Sequence, residues 1–224
     1  MKITRETLIN GSLLERQRRH ADEHPDMRWR TEAEIALSFE AMLSQHPAGE
    51  DLWVFGYGSL IWNPAFDYVE RQCALLRGWH RRFCLKLYAG RGTPENPGLV
   101  LALDHGGACR GVAFRISAAK IRHELWLLWQ REMFGGSYNA RWVKLTPAGV
   151  KGAESFRAIT FVINHAHPRY MPELSVAQTA AFIATGCGEW GSCREYLENT
   201  VAHLTELGVH DKNLARIAAA LPKP

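Results

Sequence analysis

Apolar residues are spaced at helical intervals near both ends of the chain and fall into strand-like runs in the middle. In residues 1–50, leucines separated by polar residues predict a first helix, which the Asn-Gly pair at residues 10–11 should break. A further helix is expected after Thr31, because Thr31 can cap it and Glu34 completes the pattern of a capping box. That helix should end near residues 46–49, whose sequence is His-Pro-Ala-Gly.

The middle of the chain predicts a sheet, then one helix and two more strands. Four short runs rich in leucine, β-branched or aromatic residues are candidate strands, at residues 68–76, 82–87, 99–103 and 111–116. A loop with two prolines and two glycines covers residues 91–98. Later segments predict strands at 141–145 and 155–162, and helices at 118–133, 175–185, 194–207 and 212–220. Runs of strands with helices segregated around them are typical of the α+β class.

No internal repeat, low-complexity tract or linker divides the core of the chain. A chain of 224 residues is long enough for one large domain. We place this domain at residues 51–210, with a helical N-terminal extension at 1–50 and a C-terminal helical tail at 211–224. The extension is polar, and we interpret it as an appendage that the main domain does not need.

The most informative stretch is residues 53–62, an apolar run that meets two glycines one residue apart. Together the two glycines predict a buried strand that ends in a tight turn. Backbone N–H groups of such a turn can converge on a carboxylate or an oxyanion. The candidate binding residues are those of the turn itself, namely Gly56, Tyr57, Gly58, Ser59, Leu60 and Ile61. A plain structural turn is the alternative, and the glycine spacing fits neither a P-loop nor a dinucleotide-binding fingerprint.

A second candidate is a carboxylate on the predicted helix at residues 118–133. Glu132 shares a helix face with Leu125, Leu128 and Trp129, given the spacing of three and four residues. A carboxylate on an apolar face costs folding free energy, so it is expected there only if it pairs with a cation or serves a function. Burial there would raise its pKa. Glu132 is therefore a candidate general base. The alternative is a structural ion pair with a nearby arginine such as Arg131.

Two further sets of polar residues could reach a binding site. Arg91 lies in the Pro/Gly-rich loop and could hold a carboxylate with its two-pronged guanidinium, or else pair with Glu95. The tyrosines Tyr170 and Tyr196 could supply hydroxyl donors, although packing in the core or at the rim is the simpler interpretation. These residues do not by themselves define a chemistry.

Other motifs point away from metal and serine chemistry. His165 and His167 are two residues apart, but no cysteine or carboxylate nearby completes a ligand set, so a surface loop is the simpler interpretation. Ser59 has no histidine beside it in sequence and no nucleophile-elbow motif around it, which leaves it a weak candidate nucleophile. We expect no metal and no cofactor.

Composition limits the partners that we expect. The net charge of +4 is compatible with a small anionic substrate but does not indicate nucleic acid. No run of 18 apolar residues predicts a membrane span. The five cysteines are scattered and the first residues lack an apolar signal region, which together indicate free thiols in the cytoplasm. The sequence does not fix the oligomeric state.

Taken together, these motifs resemble the ChaC-type γ-glutamylcyclotransferases. The resemblance covers residues 52–207 and rests on five motifs in order: VFGYGSLIW at 54–62, Gly78-Trp79 with Arg81-Arg82-Phe83, RGTPENPG at 91–98, GVAFR at 111–115, and Arg131-Glu132 with the glycines that follow. Gln130 is a departure, since the family often has a tyrosine there. The resemblance implies a small closed or near-closed mixed β-barrel flanked by helices.

The same resemblance implies cyclisation of the γ-glutamyl group of glutathione, which releases 5-oxoproline and Cys-Gly. Glu132 would serve as general base and acid, while the turn at 56–61 and Arg91 would bind the substrate. This reaction requires no metal, cofactor or enzyme nucleophile. The alternatives are a cyclotransferase for other γ-glutamyl amino acids or amines, a serine amidohydrolase that uses Ser59, and a non-catalytic module that binds a small acid.

Overall fold

A closed barrel of five strands lies at the centre of the structure, a computed structural model that describes residues 3–23, 28–150 and 152–222. The barrel strands are β1 (Leu52–Gly56), β2 (Glu70–Leu87), β3 (Gly98–Ile116), β4 (Tyr138–Pro147) and β5 (Phe156–Ile163). Their order is β1-β3-β2-β4-β5, and β5 closes the barrel by pairing in parallel with β1 and β3. The other pairs are antiparallel, so the barrel is mixed and the predicted α+β architecture is confirmed.

Seven α-helices accompany the barrel in the described residues, three before β1, one between β3 and β4, and three after β5. They are α1 (Arg5–Ile9), α2 (Ser12–Glu23), α3 (Glu32–Leu43), α4 (Ile121–Met133), α5 (Val176–Thr185), α6 (Cys193–Glu206) and α7 (Lys212–Ala219). A two-stranded hairpin of β6 (Cys187–Gly188) and β7 (Gly191–Ser192) joins α5 to α6. The predicted break at residues 10–11 separates α1 from α2, and the capping box of Thr31 and Glu34 begins α3.

The four strands predicted at residues 68–116 are two long strands, which corrects the sequence interpretation. β2 and β3 stay paired from Glu70↔Arg115 to Leu87↔Gly98. Their middle parts are exposed, and the apolar pattern that marks a strand is therefore lost there. Gly78 has a φ of +81° beside an irregularity in the register, so the strand bends there while its pairing continues.

The N-terminal extension packs into the main core. Ile35, Phe39 and Met42 of α3 are buried in the same cluster as the barrel. Trp129 of α4 is fully buried, and its indole N–H donates to Ser38 Oγ at 2.9 Å. The extension is thus joined to the helix that carries Glu132, both by apolar contacts and by this hydrogen bond.

The cysteines and the helices agree with what the composition predicts for thiols and for membrane spans. All five cysteines are unpaired, as predicted. Within the three described ranges, none of the helices combines the length and the hydrophobicity that crossing a bilayer requires. The C-terminal tail is also attached to the barrel domain, because Leu214 and Ile217 of α7 are buried in the main core.

Candidate active site

The glycine turn follows β1 directly and folds into a short 3₁₀ segment at Ser59–Ile61. The Ile61 N–H donates to the Gly58 carbonyl at 2.9 Å, which closes the segment. Glycine is required at position 58 because a Cβ there would lie 2.7 Å from the Tyr196 hydroxyl oxygen. The side chain of Tyr196, which is carried by α6, therefore packs directly against the backbone of the turn.

The structure places four of the six predicted turn residues around a small cavity of about 30 Å³. Tyr57, Gly58, Ser59 and Leu60 line it together with Glu132, Leu101, Tyr138, Phe161 and Tyr196. Two predicted residues do not line it. Gly56 is the last residue of β1 and pairs with Val112, while the Ile61 N–H is engaged within the turn. The spacing of the two glycines predicts the turn but does not show which of its residues line the cavity.

Glu132 lies on the last turn of α4 and faces this cavity. Its side chain is 15% exposed, and its carboxylate forms an ion pair with Arg131, Nε to Oε1 3.0 Å. Burial raises the pKa of Glu132, and the positive charge of Arg131 acts in the opposite direction. Both sequence interpretations of Glu132 thus apply, since it is paired and is also held in a desolvated position that suits a base.

Arg131 connects α4 to the glycine turn, a role that the sequence did not indicate. One terminal nitrogen donates to the Asn63 carbonyl at 2.7 Å, and the other donates to Ser59 Oγ at 3.0 Å. A guanidinium remains protonated in proteins and cannot accept a proton from Ser59. The position of Arg131, next to Glu132 on the last turn of the predicted helix, is the sequence feature that could have indicated this role.

Three tyrosine hydroxyls surround the cavity and remain protonated near neutral pH. Burial raises the pKa of Tyr57 and Tyr138 well above the usual value, and it raises the pKa of Tyr196 to about 12. The negative charge of Glu132 adds to each rise. The Tyr138 hydroxyl donates to the Leu101 carbonyl at 3.0 Å. Of the tyrosines considered from sequence, Tyr196 reaches the cavity, whereas Tyr170 binds Asp104 elsewhere.

Arg91 lines a larger cleft that opens from this cavity. Its guanidinium donates to the Ser192 carbonyl at 2.6 Å and lies 3.4 Å from Glu195. The carbon of the guanidinium is 5.3 Å from the centre of the Tyr196 ring. The predicted alternative, a pairing of Arg91 with Glu95, is therefore wrong, because Arg91 pairs with Glu195 of α6.

A second buried arginine, Arg169, lines the cleft and was missed by sequence reasoning. It donates to the Gly135 carbonyl at 2.9 Å and to Ser137 Oγ at 3.3 Å. Burial lowers its pKa to about 10, so it stays charged near neutral pH. Its neighbour His167 is also buried, so the surface-loop interpretation holds for the exposed His165 but is wrong for His167.

The large cleft has a volume of about 1160 Å³ and is lined by distant parts of the chain. Ser59, Glu132, Tyr138 and Tyr196 line both this cleft and the small cavity, so the two adjoin at Glu132. The loop at residues 87–94, the tip of the β6–β7 hairpin and α2 form the outer walls. Sequence reasoning assigned α2 to an appendage and gave no signal of this role.

The N-terminal segment also holds the end of α4 in place. The guanidinium of Arg30 donates to the Met133 carbonyl at 2.9 Å and to the Tyr138 carbonyl at 2.8 Å. The Arg30 backbone N–H donates to the Phe134 carbonyl at 3.0 Å. These bonds flank Glu132 on its C-terminal side. Across the described part of the chain, no group of His, Cys, Asp and Glu side chains has the arrangement of a metal site.

A closed mixed barrel, a glycine turn at the end of its first strand and a buried carboxylate facing that turn define a γ-glutamylcyclotransferase-type protein. A solved structure of a γ-glutamylcyclotransferase specific to glutathione from yeast superposes with a TM-score of 0.70, at 21% identity, over 77% of this chain and 96% of that one. The sequence model of the ChaC-like protein family matches residues 52–223. The chain belongs to this family.

Two named relatives are similar to this chain over most of its length. The glutathione-specific γ-glutamylcyclotransferase of Escherichia coli (strain K12) is 39% identical over 188 residues, which are 84% of this chain and 80% of that protein. The human glutathione-specific γ-glutamylcyclotransferase 1 is 31% identical over 174 residues, which are 76% of this chain and 78% of that protein.

Proposed function

We propose that this protein is a glutathione-specific γ-glutamylcyclotransferase that releases 5-oxoproline and Cys-Gly. Membership of the ChaC-like family and the two glutathione-specific relatives support the substrate. The single observation that carries the chemistry is the position of Glu132. Its carboxylate has a pKa raised by burial and shares one cavity with the turn at Tyr57–Leu60.

The substrate itself supplies the nucleophile. The α-amine of the γ-glutamyl unit attacks its own δ-carbonyl, a five-membered ring closes, and the amide nitrogen leaves with the rest of the peptide. The protein has to deprotonate the α-ammonium, hold the chain in a curled conformation and stabilise the oxyanion that forms. Holding two reacting groups in place can contribute several kcal/mol to the rate acceleration.

Glu132 serves as general base and then as general acid. Its carboxylate takes a proton from the α-ammonium and passes it to the leaving nitrogen as the amide bond breaks. It then takes the second proton that the ring nitrogen loses and passes it to the released amine. Both protons therefore end on the leaving nitrogen, and the enzyme returns to its starting state. A raised pKa makes the carboxylate a better base while it remains ionised, and Arg131 keeps the rise within limits. Positioned acid–base groups of this type contribute about 10²–10⁴-fold to rate.

Donors around the small cavity suit the oxyanion and the substrate carboxylate. The proposed donors are backbone N–H groups of the turn at Tyr57–Leu60, which lines the cavity, and the neutral hydroxyls of Tyr57 and Tyr196 beside it. A cavity of about 30 Å³ accepts a group the size of a water molecule, such as a carbonyl oxygen. Arg91, in the outer cleft, is the proposed site for a substrate carboxylate.

A serine hydrolase is less consistent with the geometry. Ser59 Oγ accepts a hydrogen bond from Arg131, and a guanidinium cannot serve as the base that a serine nucleophile needs. Cyclisation and hydrolysis also yield different products, because the first gives 5-oxoproline and the second gives glutamate.

The test is to incubate the purified protein with glutathione and with N-acetyl-glutathione, and to identify the products. We expect 5-oxoproline and Cys-Gly from glutathione, and no cleavage of the capped substrate, since acetylation removes the nucleophile. Free glutamate as the first product would contradict cyclisation. Turnover of other γ-glutamyl amino acids or amines but not of glutathione would contradict the substrate, and binding without turnover would indicate a non-catalytic module.

We also propose that the protein works in the cytoplasm. Its five cysteines are unpaired, which is expected of a protein in a reducing compartment. Cell fractionation with an antibody against the protein would check this compartment.

A further inference from the structure

Helix α2 lines the outer cleft with a regular polar face. Arg16, Arg19, His20 and Glu23 recur at intervals of three and four residues, which is the spacing of one helix face, and all of them line the cleft. Gln17 lines it as well. These residues precede the segment 52–223 that matches the family sequence model, so family membership assigns them no role.

One apolar cluster and one chain of ring contacts through Trp29 show how α2 lies relative to α4. Leu13 of α2 shares a small apolar cluster with Leu127 of α4. Further along, His20 touches the Trp29 ring with 5.4 Å between centroids, and Trp29 lies 5.7 Å from Phe134. The same number of residues separates His20 from Leu13 and Phe134 from Leu127. The two helices therefore run side by side in the same direction.

This arrangement brings the middle of α2 to the level of the catalytic end of α4. Gln17 stands between Leu13 and His20, and Arg131 stands at the corresponding position on α4, next to Glu132. Helices in direct contact lie about 8–10 Å apart, and near His20 the ring of Trp29 lies between α2 and Phe134. A dipeptide that extends from the scissile carbonyl reaches roughly 7 Å. The leaving end of a substrate bound at Glu132 can thus reach the side chains of α2.

The polar groups of α2 differ in whether they are already engaged. Arg16 forms an ion pair with Glu189 at the tip of the hairpin, and His20 lies 3.7 Å from Glu23. Arg19, by contrast, has no carboxylate partner among the described residues. Gln17 Oε1 is buried and finds no hydrogen-bond donor within the described residues. A buried acceptor without a donor is costly, and a ligand N–H would remove that cost.

We propose that Gln17 and Arg19 form the subsite for the leaving dipeptide of the substrate. Gln17 Oε1 accepts the N–H of the terminal peptide bond, and the Arg19 guanidinium binds the terminal carboxylate. The proposal rests on the proposed function, because it assigns the part of glutathione that does not react. It makes α2 of the N-terminal extension a determinant of specificity for a dipeptide leaving group over a single amino acid or amine.

The test compares glutathione with its C-terminal carboxamide, which has the same length and the same peptide bonds but lacks the terminal charge. For Arg19→Ala, we expect KM for glutathione to rise roughly tenfold, because one charge-assisted contact at an exposed position is lost. Its KM for the carboxamide and its kcat for both substrates should stay at the wild-type values. Arg18→Ala is the matched control, since Arg18 is an arginine of the same helix that pairs with Glu32 and does not line the cleft.

A second variant tests Gln17 separately. Gln17→Leu should raise KM for both substrates, since both contain the peptide N–H, and it should not lower the free energy of unfolding, because it removes a buried unpaired acceptor. An unchanged KM for glutathione in Arg19→Ala, or an equal rise for the carboxamide, would overturn the role of Arg19. A wild-type enzyme that forms no 5-oxoproline would contradict the proposed function itself, and the subsite with it.

Discussion

The small cavity at Glu132 is the floor of the cleft, and α2 forms part of its outer wall. The two regions differ in burial and in charge. At the floor, Tyr57 and Tyr196 are buried and Glu132 and Tyr138 are largely shielded, and desolvation raises the pKa of all four. On the outer wall, α2 carries charged side chains that are largely accessible, such as Arg19. Burying a polar group without a partner costs free energy, so its position is tightly constrained. An exposed charge is screened by solvent and contributes less to the free energy of folding or binding.

This difference separates chemistry from recognition. Changes at the floor should act on kcat or on folding, because those groups are packed against the barrel and the proposed function places them beside the reacting atoms. Changes on α2 should act on KM and on the choice of leaving group. The N-terminal segment contributes to both regions. Arg30 binds the end of α4 next to Glu132, and α2 forms part of the outer wall.

The largest expected effect at the floor is that of Glu132→Gln. The substitution keeps the size of the side chain and removes the base, so kcat should fall by about 10²–10⁴-fold. The thermal unfolding midpoint should fall only modestly, because the neutral amide avoids the cost of burying a charge while Arg131 loses its counter-charge but keeps its hydrogen bonds to Asn63 and Ser59. Rates of 5-oxoproline formation by wild type and variant check this. Near-normal turnover by the folded variant would remove Glu132 from the mechanism.

Next in size is a steric test of the turn. In Gly58→Ala, the new Cβ would lie 2.7 Å from the Tyr196 hydroxyl oxygen, so the turn or the Tyr196 side chain has to shift. Overpacking of this kind costs about 1–3 kcal/mol, which urea unfolding can measure. Gly58→Val should be worse and should impair substrate binding. The double variant Gly58→Ala, Tyr196→Phe removes the clashing oxygen and should recover part of the lost stability; no recovery would contradict this contact as the cause.

A smaller effect is expected from the charge next to the base. Arg131 holds down the pKa of Glu132, which burial raises. Removing the charge in Arg131→Gln should raise that pKa further, so Glu132 becomes protonated at a higher pH. Because only the ionised carboxylate can act as base, the acid limb of the profile of kcat/KM against pH should move to higher pH.

Arg131→Lys is the control for this shift. It retains the positive charge but loses the two-pronged geometry that contacts Asn63 and Ser59. Its acid limb should stay near that of the wild type even if its rate is lower. An acid limb that moves equally in both variants would assign the shift to geometry and not to charge.

The smallest effect at the floor is expected for Ser59→Ala. The hydroxyl oxygen accepts one hydrogen bond from Arg131, and the turn acts through its backbone. Loss of one such bond costs about 1–3 kcal/mol at most, and internal attack by the amine needs no serine. Measurable cyclisation should therefore remain. A covalent acyl group on Ser59, detected by mass spectrometry, would contradict this expectation and support a hydrolase.

The sequence determined the local parts of this protein. The capping box of Thr31 and Glu34, the break at residues 10–11 and the glycine turn after β1 depend on neighbouring residues, and the structure contains all of them. Glu132 on the apolar face of α4 was also predictable, because helical periodicity fixes which side chains share a face.

Only the tertiary structure decided which distant groups meet. β2 and β3 continue through segments whose sequence looks like loop, because pairing between strands does not require burial. Arg91 pairs with Glu195 and not with Glu95, which is closer in sequence, and Arg131 donates a hydrogen bond to Ser59. Folding brings these residues, which are far apart in sequence, into contact. The role of α2 depends on its packing beside α4. A polar amphipathic helix has the same periodicity whether its polar face meets water or a substrate cleft, so no pattern within residues 12–23 distinguishes the two.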